Sequence, residues 1–145
     1  MQMKSSAYIK LVPGSKQQIM TLEEVKKLLN SYQTNSSKTG KQLDWNYEDY
    51  AFPYEIKEGS DSSNPYLYLL SNKDRYNLII FAVAQEVIQG TDPAQIQSYI
   101  QISLTDLSTY GDKTKANEYC KFFAKQLQGE LHLFNKRIMY FYPKK

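Results

Sequence analysis

The stretch from Asp112 to Tyr142 constrains the fold of this chain more than any other. In DKTKANEYCKFFAKQLQ, the residues Ala116, Tyr119, Cys120, Phe123, Ala124 and Leu127 share one arc at about 100° per residue. Glu118, Lys121 and Lys125 lie opposite. This spacing predicts an amphipathic helix over 113–128, with Asp112 as N-cap and Gly129 at the left-handed position that ends it. The following ELHLF-NK-RIMYFY reads as a β-hairpin over 130–142. A two-residue Asn135-Lys136 turn pairs Leu133 with Ile138 and Leu131 with Tyr140, and those four side chains form its expected core face. Lys136 is a poor occupant of a turn position that needs positive φ. One apolar stripe and one apolar strand face imply a layered domain in which helix covers sheet.

The N-terminal half carries a similar pair of signals. SAYIKLV (6–12) reads as a strand ended by Pro13-Gly14, and 16–20 as a short returning strand. Thr21 and Glu24 have capping-box spacing, and Met20 and Val25 have staple spacing. Leu22, Val25, Leu28, Leu29 and Tyr32 mark one face of a helix over 22–33. TNSSKTGKQ (34–42) is polar and is expected to be an exposed connection. In 43–56, aromatic and acidic residues are interleaved around Pro53, which disfavours both a helix and a central strand. An irregular segment ending in a short strand at 54–57 is expected, then a loop over 58–65.

YLYLLS and YNLIIFAV read as a hairpin around 72–75, with Leu69 opposite Leu78. That register puts Leu67, Leu69, Leu78 and Ile80 on one face and Tyr66, Tyr68, Ile79 and Phe81 on the other. Both faces are apolar, so the aromatic side needs a cover: the 43–56 segment, a second subunit or a ligand. Thr91-Asp92-Pro93 opens a short helix or turns the chain, and 97–104 alternates as a half-buried strand. The fold class expected is α+β: one domain over 1–145, a two-layer sandwich of mostly antiparallel sheet and two helices.

Composition excludes more chemistry than it suggests. With 145 residues the chain can bury a core without a metal or disulfide. Cys120 is the only cysteine and His132 the only histidine. The expected faces separate the two, so a thiol–imidazole pair is not expected. Glycine-rich phosphate loops, His-x-x-x-His pairs and Gly-x-Ser-x-Gly elbows are absent. No catalytic residue, metal ligand or cofactor is assigned. From Lys113 to Lys145 there are eight Lys/Arg against two acids, but only Arg75 and Arg137 are arginines, the usual readers of phosphate. The N-terminus lacks a signal-peptide pattern and no apolar run reaches membrane length, so a cytoplasmic protein is expected.

SAYIKLVPGS, TLEEVKKLL, SKTGKQLDWNYEDYAFPYEI and GELHLFNKRIMYFYPK together resemble a small family of uncharacterised proteins from Bacillus-type bacteria, classed as a domain of unknown function. The resemblance implies a stand-alone α+β domain in a bacterial cytoplasm and supplies no activity. Lys136 departs from the glycine expected in the family's turn. The order strand, helix, four strands, helix is similar to the TATA-binding-protein-like arrangement, an analogy of architecture that carries no DNA-binding expectation.

The first functional reading is a non-enzymatic binding or protein-interaction module. It rests on 13 tyrosines among 20 aromatics and on an aromatic sheet face. Its candidate binding residues are Trp45, Tyr47, Tyr50, Tyr54, Tyr66, Tyr68 and Phe81, with a protein partner or a second copy as occupant. The alternatives are an anionic-ligand or nucleic-acid binder through Lys121, Lys125, Lys136 and Arg137, and a small enzyme with carboxylates among Asp44, Glu48, Asp49 and Glu55. Nucleic acid is the weaker partner, and no membrane is expected.

Overall fold

The computed structural model describes residues 3–43, 52–61, 64–88, 90 and 93–143. In chain order these form β1 (Met3–Lys10), α1 (Leu22–Leu43), β2 (Glu55–Asp61), β3 (Asn64–Leu70), β4 (Leu78–Val87), β5 (Ile96–Thr105), α2 (Tyr110–Leu127), β6 (Glu130–His132) and β7 (Ile138–Tyr140). The strands make one sheet in the order β2-β3-β4-β5-β1-β6-β7, with every neighbouring pair antiparallel. The α+β class and the order of elements are as expected.

A single apolar layer joins sheet and helices. Ala7, Ile9, Leu67, Leu69, Ile79, Phe81, Ile100, Ile102 and Leu131 point from the sheet into a cluster with Val25 and Leu29 of α1. Ala116, Tyr119, Cys120, Phe123, Ala124 and Leu127 of α2 complete it, which is the stripe read from 3.6-residue spacing. Phe52 and Tyr54 enter the same layer, packing edge-on and tilted against Tyr32 and Tyr119.

The start of α1 follows the sequence signals closely. The Thr21 N–H donates to Glu24 Oε1 at 3.0 Å and the Glu24 N–H to Thr21 Oγ1 at 3.2 Å, while Met20 and Val25 are both buried. The Gln17 amide and the Thr21 backbone hold the Glu24 carboxyl below its ordinary range. The helix then runs to Leu43 through the polar stretch expected to be a loop. Polar composition by itself does not distinguish helix from loop, and a glycine such as Gly40 costs a helix only about 1 kcal/mol. Residues 58–61 and 64–65, also expected in a loop, instead extend the β2–β3 ladder from Glu58↔Leu67 to Asp61↔Asn64. Residues 16–20 form no strand, yet the Gln18 carbonyl accepts from the Ser98 N–H at 2.7 Å.

Two local expectations around α2 are corrected. Thr109, not Asp112, is the N-cap; Asp112 is the third helical residue and closes a capping box with it. The left-handed residue at the other end is Gln128, with φ 53° and ψ 50°. Gly129 serves a different purpose, since a Cβ there would lie 2.9 Å from Ile9 Cγ2 and 3.2 Å from the Lys10 carbonyl oxygen. Glycine is required for close passage over β1.

Both hairpin registers differ by one residue from expectation. In β3–β4, Leu69 pairs with Ile79 and Leu67 with Phe81, so Phe81 faces the helices and Leu78 and Ile80 face away. The loop is longer than 72–75: the Ser71 N–H reaches the Asn77 carbonyl at 2.9 Å. In β6–β7, His132 pairs with Ile138 and Leu131 with Met139. A three-residue turn closes this hairpin, with Lys136 at φ 70° after a Leu133–Lys136 hydrogen-bonded turn. Ile138 and Tyr140 consequently leave the face of Leu131 and are exposed.

Candidate functional site: the open face of the sheet

Directly opposed residues of adjacent strands share a face, so the register fixes what the helix-free side displays. Lys57, Tyr68, Ile80, Ser103 and Ser6 form one row across β2, β3, β4, β5 and β1. Ala82, Gln101, Tyr8, His132 and Ile138 form the next, and Ala84, Tyr99, Lys10, Glu130 and Tyr140 the third. Leu11 and Met20 pack with the helices on the opposite side, and no described helix lies over these rows.

The rows carry an internal polar network and two aromatic pairs. Ser6 Oγ lies 2.8 Å from Ser103 Oγ, and the Gln101 amide donates to both hydroxyls. Tyr8 and Tyr99 meet edge to face with centroids 5.8 Å apart, and Tyr66 and Tyr68 are tilted at 6.1 Å. The Tyr66 ring lies over Gly59, where a Cβ would come within 2.6 Å of it. An aromatic ring over a strand glycine restores the packing that the missing side chain leaves out. Glu86 receives both Lys10 Nζ at 3.5 Å and the Gln97 amide at 2.8 Å, and His132 Nε2 lies 2.7 Å from Glu130 Oε1. Between them, Tyr8, Lys10, Glu86, Tyr99 and His132 line a shallow depression of about 310 Å³. A second, of about 530 Å³, continues past Tyr8 and His132 toward Ser5, Phe134 and Lys136.

The candidate binding residues separate into three groups. Tyr66 and Tyr68 are half-buried on the open face. Phe81 is fully buried on the helix side, a consequence of the register, and stacks edge-on against Phe123 at 5.5 Å. Tyr54 is also core: its hydroxyl donates to Asp112 Oδ1 at 2.6 Å, and burial together with that carboxylate pushes its ionisation far above the ordinary phenol range. Trp45, Tyr47 and Tyr50 lie outside the described residues. Tyr8, Tyr99, Lys10 and Glu86 were missed. The alternation in 6–12 and 97–104 pairs Tyr8 with Lys10 and Tyr99 with Gln101 on the polar side, but only the β1–β5 pairing brings them together.

Among the described residues the alternative chemistries gain no assembled site. Cys120 is completely buried, and burial pushes its thiol well above its ordinary value; it packs with the helices, whereas His132 faces the opposite depression. Glu55 is exposed and ion-paired to Lys57 at 3.2 Å, while Asp44, Glu48 and Asp49 lie outside the described residues. Lys121 and Lys125 are exposed on α2, and Lys136 and Arg137 on the hairpin turn. Among the described residues no group of three His, Cys, Asp or Glu could hold a metal ion, and no helix is long and apolar enough to cross a membrane.

Residues 5–143 match the family described as a domain of unknown function, DUF1885. The chain is similar to a protein of unknown function from Bacillus stearothermophilus whose crystal structure is solved, at 40% identity over 87% of this chain and 92% of that one, with a TM-score of 0.49. No curated protein matches.

Proposed function

We propose that this chain, which belongs to the DUF1885 family, is a non-enzymatic binding module that holds a protein partner against the open face of its sheet. The observation that carries this reading is the juxtaposition of Tyr8 with Tyr99 and Tyr66 with Tyr68 on the face opposite both helices. Tyrosine is suited to that duty, offering a large apolar ring with a polar edge and few rotatable bonds to immobilise. Ala82 and Ala84 between the pairs keep the surface low enough for a partner to approach. The Lys10–Glu86 and His132–Glu130 pairs supply a polar rim of both signs. A bacterial cytoplasm is the setting proposed for it.

The test is selection of a random peptide library displayed on phage against the folded protein. Recovered clones are then titrated against Tyr68→Lys and Tyr99→Lys variants whose circular dichroism matches wild type. The reading requires about tenfold or greater loss of affinity in at least one variant, equivalent to about 1.4 kcal/mol. Clones that bind both variants as well as wild type, or a library that yields no specific clone, reject it.

A further inference from the structure

The two edges of the sheet are built differently. Edge strand β2 carries Glu55, Lys57, Glu58 and Asp61 along its length, the charges that discourage edge-to-edge pairing. The opposite edge, β7, reads Ile-Met-Tyr and, among the described residues, pairs with β6 alone. Its side chains are exposed at 42%, 37% and 56% for Ile138, Met139 and Tyr140.

The ladder also sets which backbone groups of β7 are free. The Arg137 carbonyl accepts from the Leu133 N–H at 2.8 Å, and the Phe141 N–H donates to the Gly129 carbonyl at 3.0 Å. In an antiparallel ladder alternate residues point their N–H and C=O groups to opposite sides. Arg137, Met139 and Phe141 therefore face β6, and the N–H and C=O groups of Ile138 and Tyr140 face outward.

We propose that the β7 edge is a self-association site, pairing antiparallel with β7 of a second copy about a two-fold axis normal to the sheet at Met139. In this register Ile138 lies opposite Tyr140 of the second copy, and the reverse, exchanging about four main-chain hydrogen bonds. Arg137 then lies opposite Phe141, and Lys136 opposite Tyr142, so no like charges meet and each cation faces an aromatic ring. A shift that centres the axis on Arg137 sets arginine against arginine. The strand is self-complementary in the Met139-centred register, as a two-fold contact demands. Met139 meets its twin beside Leu131 on the helix side, and the two open faces become continuous.

The experiment is sedimentation equilibrium of the full chain over a concentration series. Wild type is expected to show reversible monomer–dimer behaviour. Ile138→Lys with Tyr140→Lys puts lysine opposite lysine at both pairs and is expected to weaken the dimer by about tenfold or more. Ile138→Glu with Tyr140→Lys puts opposite charges across the axis and is expected to restore association in a salt-sensitive way. Wild-type circular dichroism and a cooperative urea transition confirm that each variant is folded. A wild type that stays monomeric throughout, a dimer indifferent to the lysine pair, or no rescue by the Glu–Lys pair overturns the proposal. The Tyr68→Lys and Tyr99→Lys variants leave the dimer intact, so failure of the face reading and failure of this one are separable.

Discussion

Asp112 offers the sharpest test of how this fold is held together. Its carboxylate is fully buried. Oδ2 accepts the Thr109 N–H at 2.8 Å and the Leu78 N–H at 3.0 Å. The Asn77 N–H is shared between Oδ1 at 2.9 Å and Oδ2 at 3.0 Å, and the Tyr54 hydroxyl donates to Oδ1 at 2.6 Å. Asp112→Ala strands three backbone donors and a phenol, with the Leu78 N–H and the phenol fully in the interior and the Thr109 and Asn77 N–H groups part-buried. At about 1–3 kcal/mol for each unsatisfied group, the total cost is about 4–6 kcal/mol after partial relaxation. A domain of this size has only about 5–15 kcal/mol to lose. Asp112→Asn keeps one acceptor oxygen for the Thr109 and Leu78 amides and turns an NH₂ toward Tyr54, whose hydroxyl can rotate to accept; about 2 kcal/mol is expected. Tyr54→Phe alone should cost about 1.5 kcal/mol, and much less in the Asp112→Ala background, because the phenol there has already lost its partner. Urea unfolding followed by circular dichroism measures all four proteins. An Asp112→Ala variant within about 1 kcal/mol of wild type, or an Asn variant as damaged as the Ala one, would refute acceptor count as the cause.

Two further outcomes follow from burial and backbone conformation. Stability should fall on the alkaline side, because burial pushes the Cys120, Tyr54 and Tyr119 ionisations above their ordinary values of 9.0, 10.0 and 10.0. The unfolded chain releases those protons first, so the contribution is complete below the ordinary values and is lost as pH rises beyond them. Each group costs about 1.4 kcal/mol per pH unit, and Cys120→Ala should flatten the slope between pH 9 and 10 in urea titrations; an unchanged slope would count against this. At the end of α2, Gln128→Gly should stabilise by about 0.5–1 kcal/mol by relieving a left-handed residue. Gly129→Ala should destabilise through its contact with Ile9, and thermal unfolding showing the reverse order would place the strain elsewhere.

What could be read from sequence was whatever depends on periodicity within one element. The α2 stripe, the Thr21–Glu24 box and the Ile100–Leu104 alternation need no knowledge of neighbours. What could not be read was fixed between elements. Gly129 looked like a helix terminator because glycine favours positive φ, but its real constraint is the passage of Ile9 beneath it. Asp112 looked like a cap because it precedes the stripe; Thr109 holds that place, and the acid has been drawn inward to serve the 71–78 loop. The polar 34–42 stretch carried no signal that distinguishes a polar helix from a polar loop. Tyr8 and Tyr99 are far apart in the chain, and only β1–β5 pairing joins them.

The same carboxylate also decides what the open face contains. Side chains alternate along a strand, so moving the β3–β4 register by one residue exchanges every side chain of one strand between core and surface. A four-residue loop over 72–75 would pair Leu69 with Leu78 and send Phe81 outward beside Tyr66 and Tyr68. The Asp112 carboxylate instead fixes the Asn77 and Leu78 amides at the end of the loop, so the ladder begins at Leu70↔Leu78. Phe81 is thereby committed to Phe123 in the core, and Ile80, itself buried, takes its place on the helix-free side opposite Tyr68. An Asp112 variant that retains a compact fold should therefore alter the open face without any substitution on it, most directly at Tyr68 and Ile80. Ring-proton shifts of Tyr68 that move in Asp112→Asn while those of Tyr8 and Tyr99 stay fixed would show this coupling. Unchanged Tyr68 shifts would mean that the tyrosines and leucines of β3 hold the register without the acid.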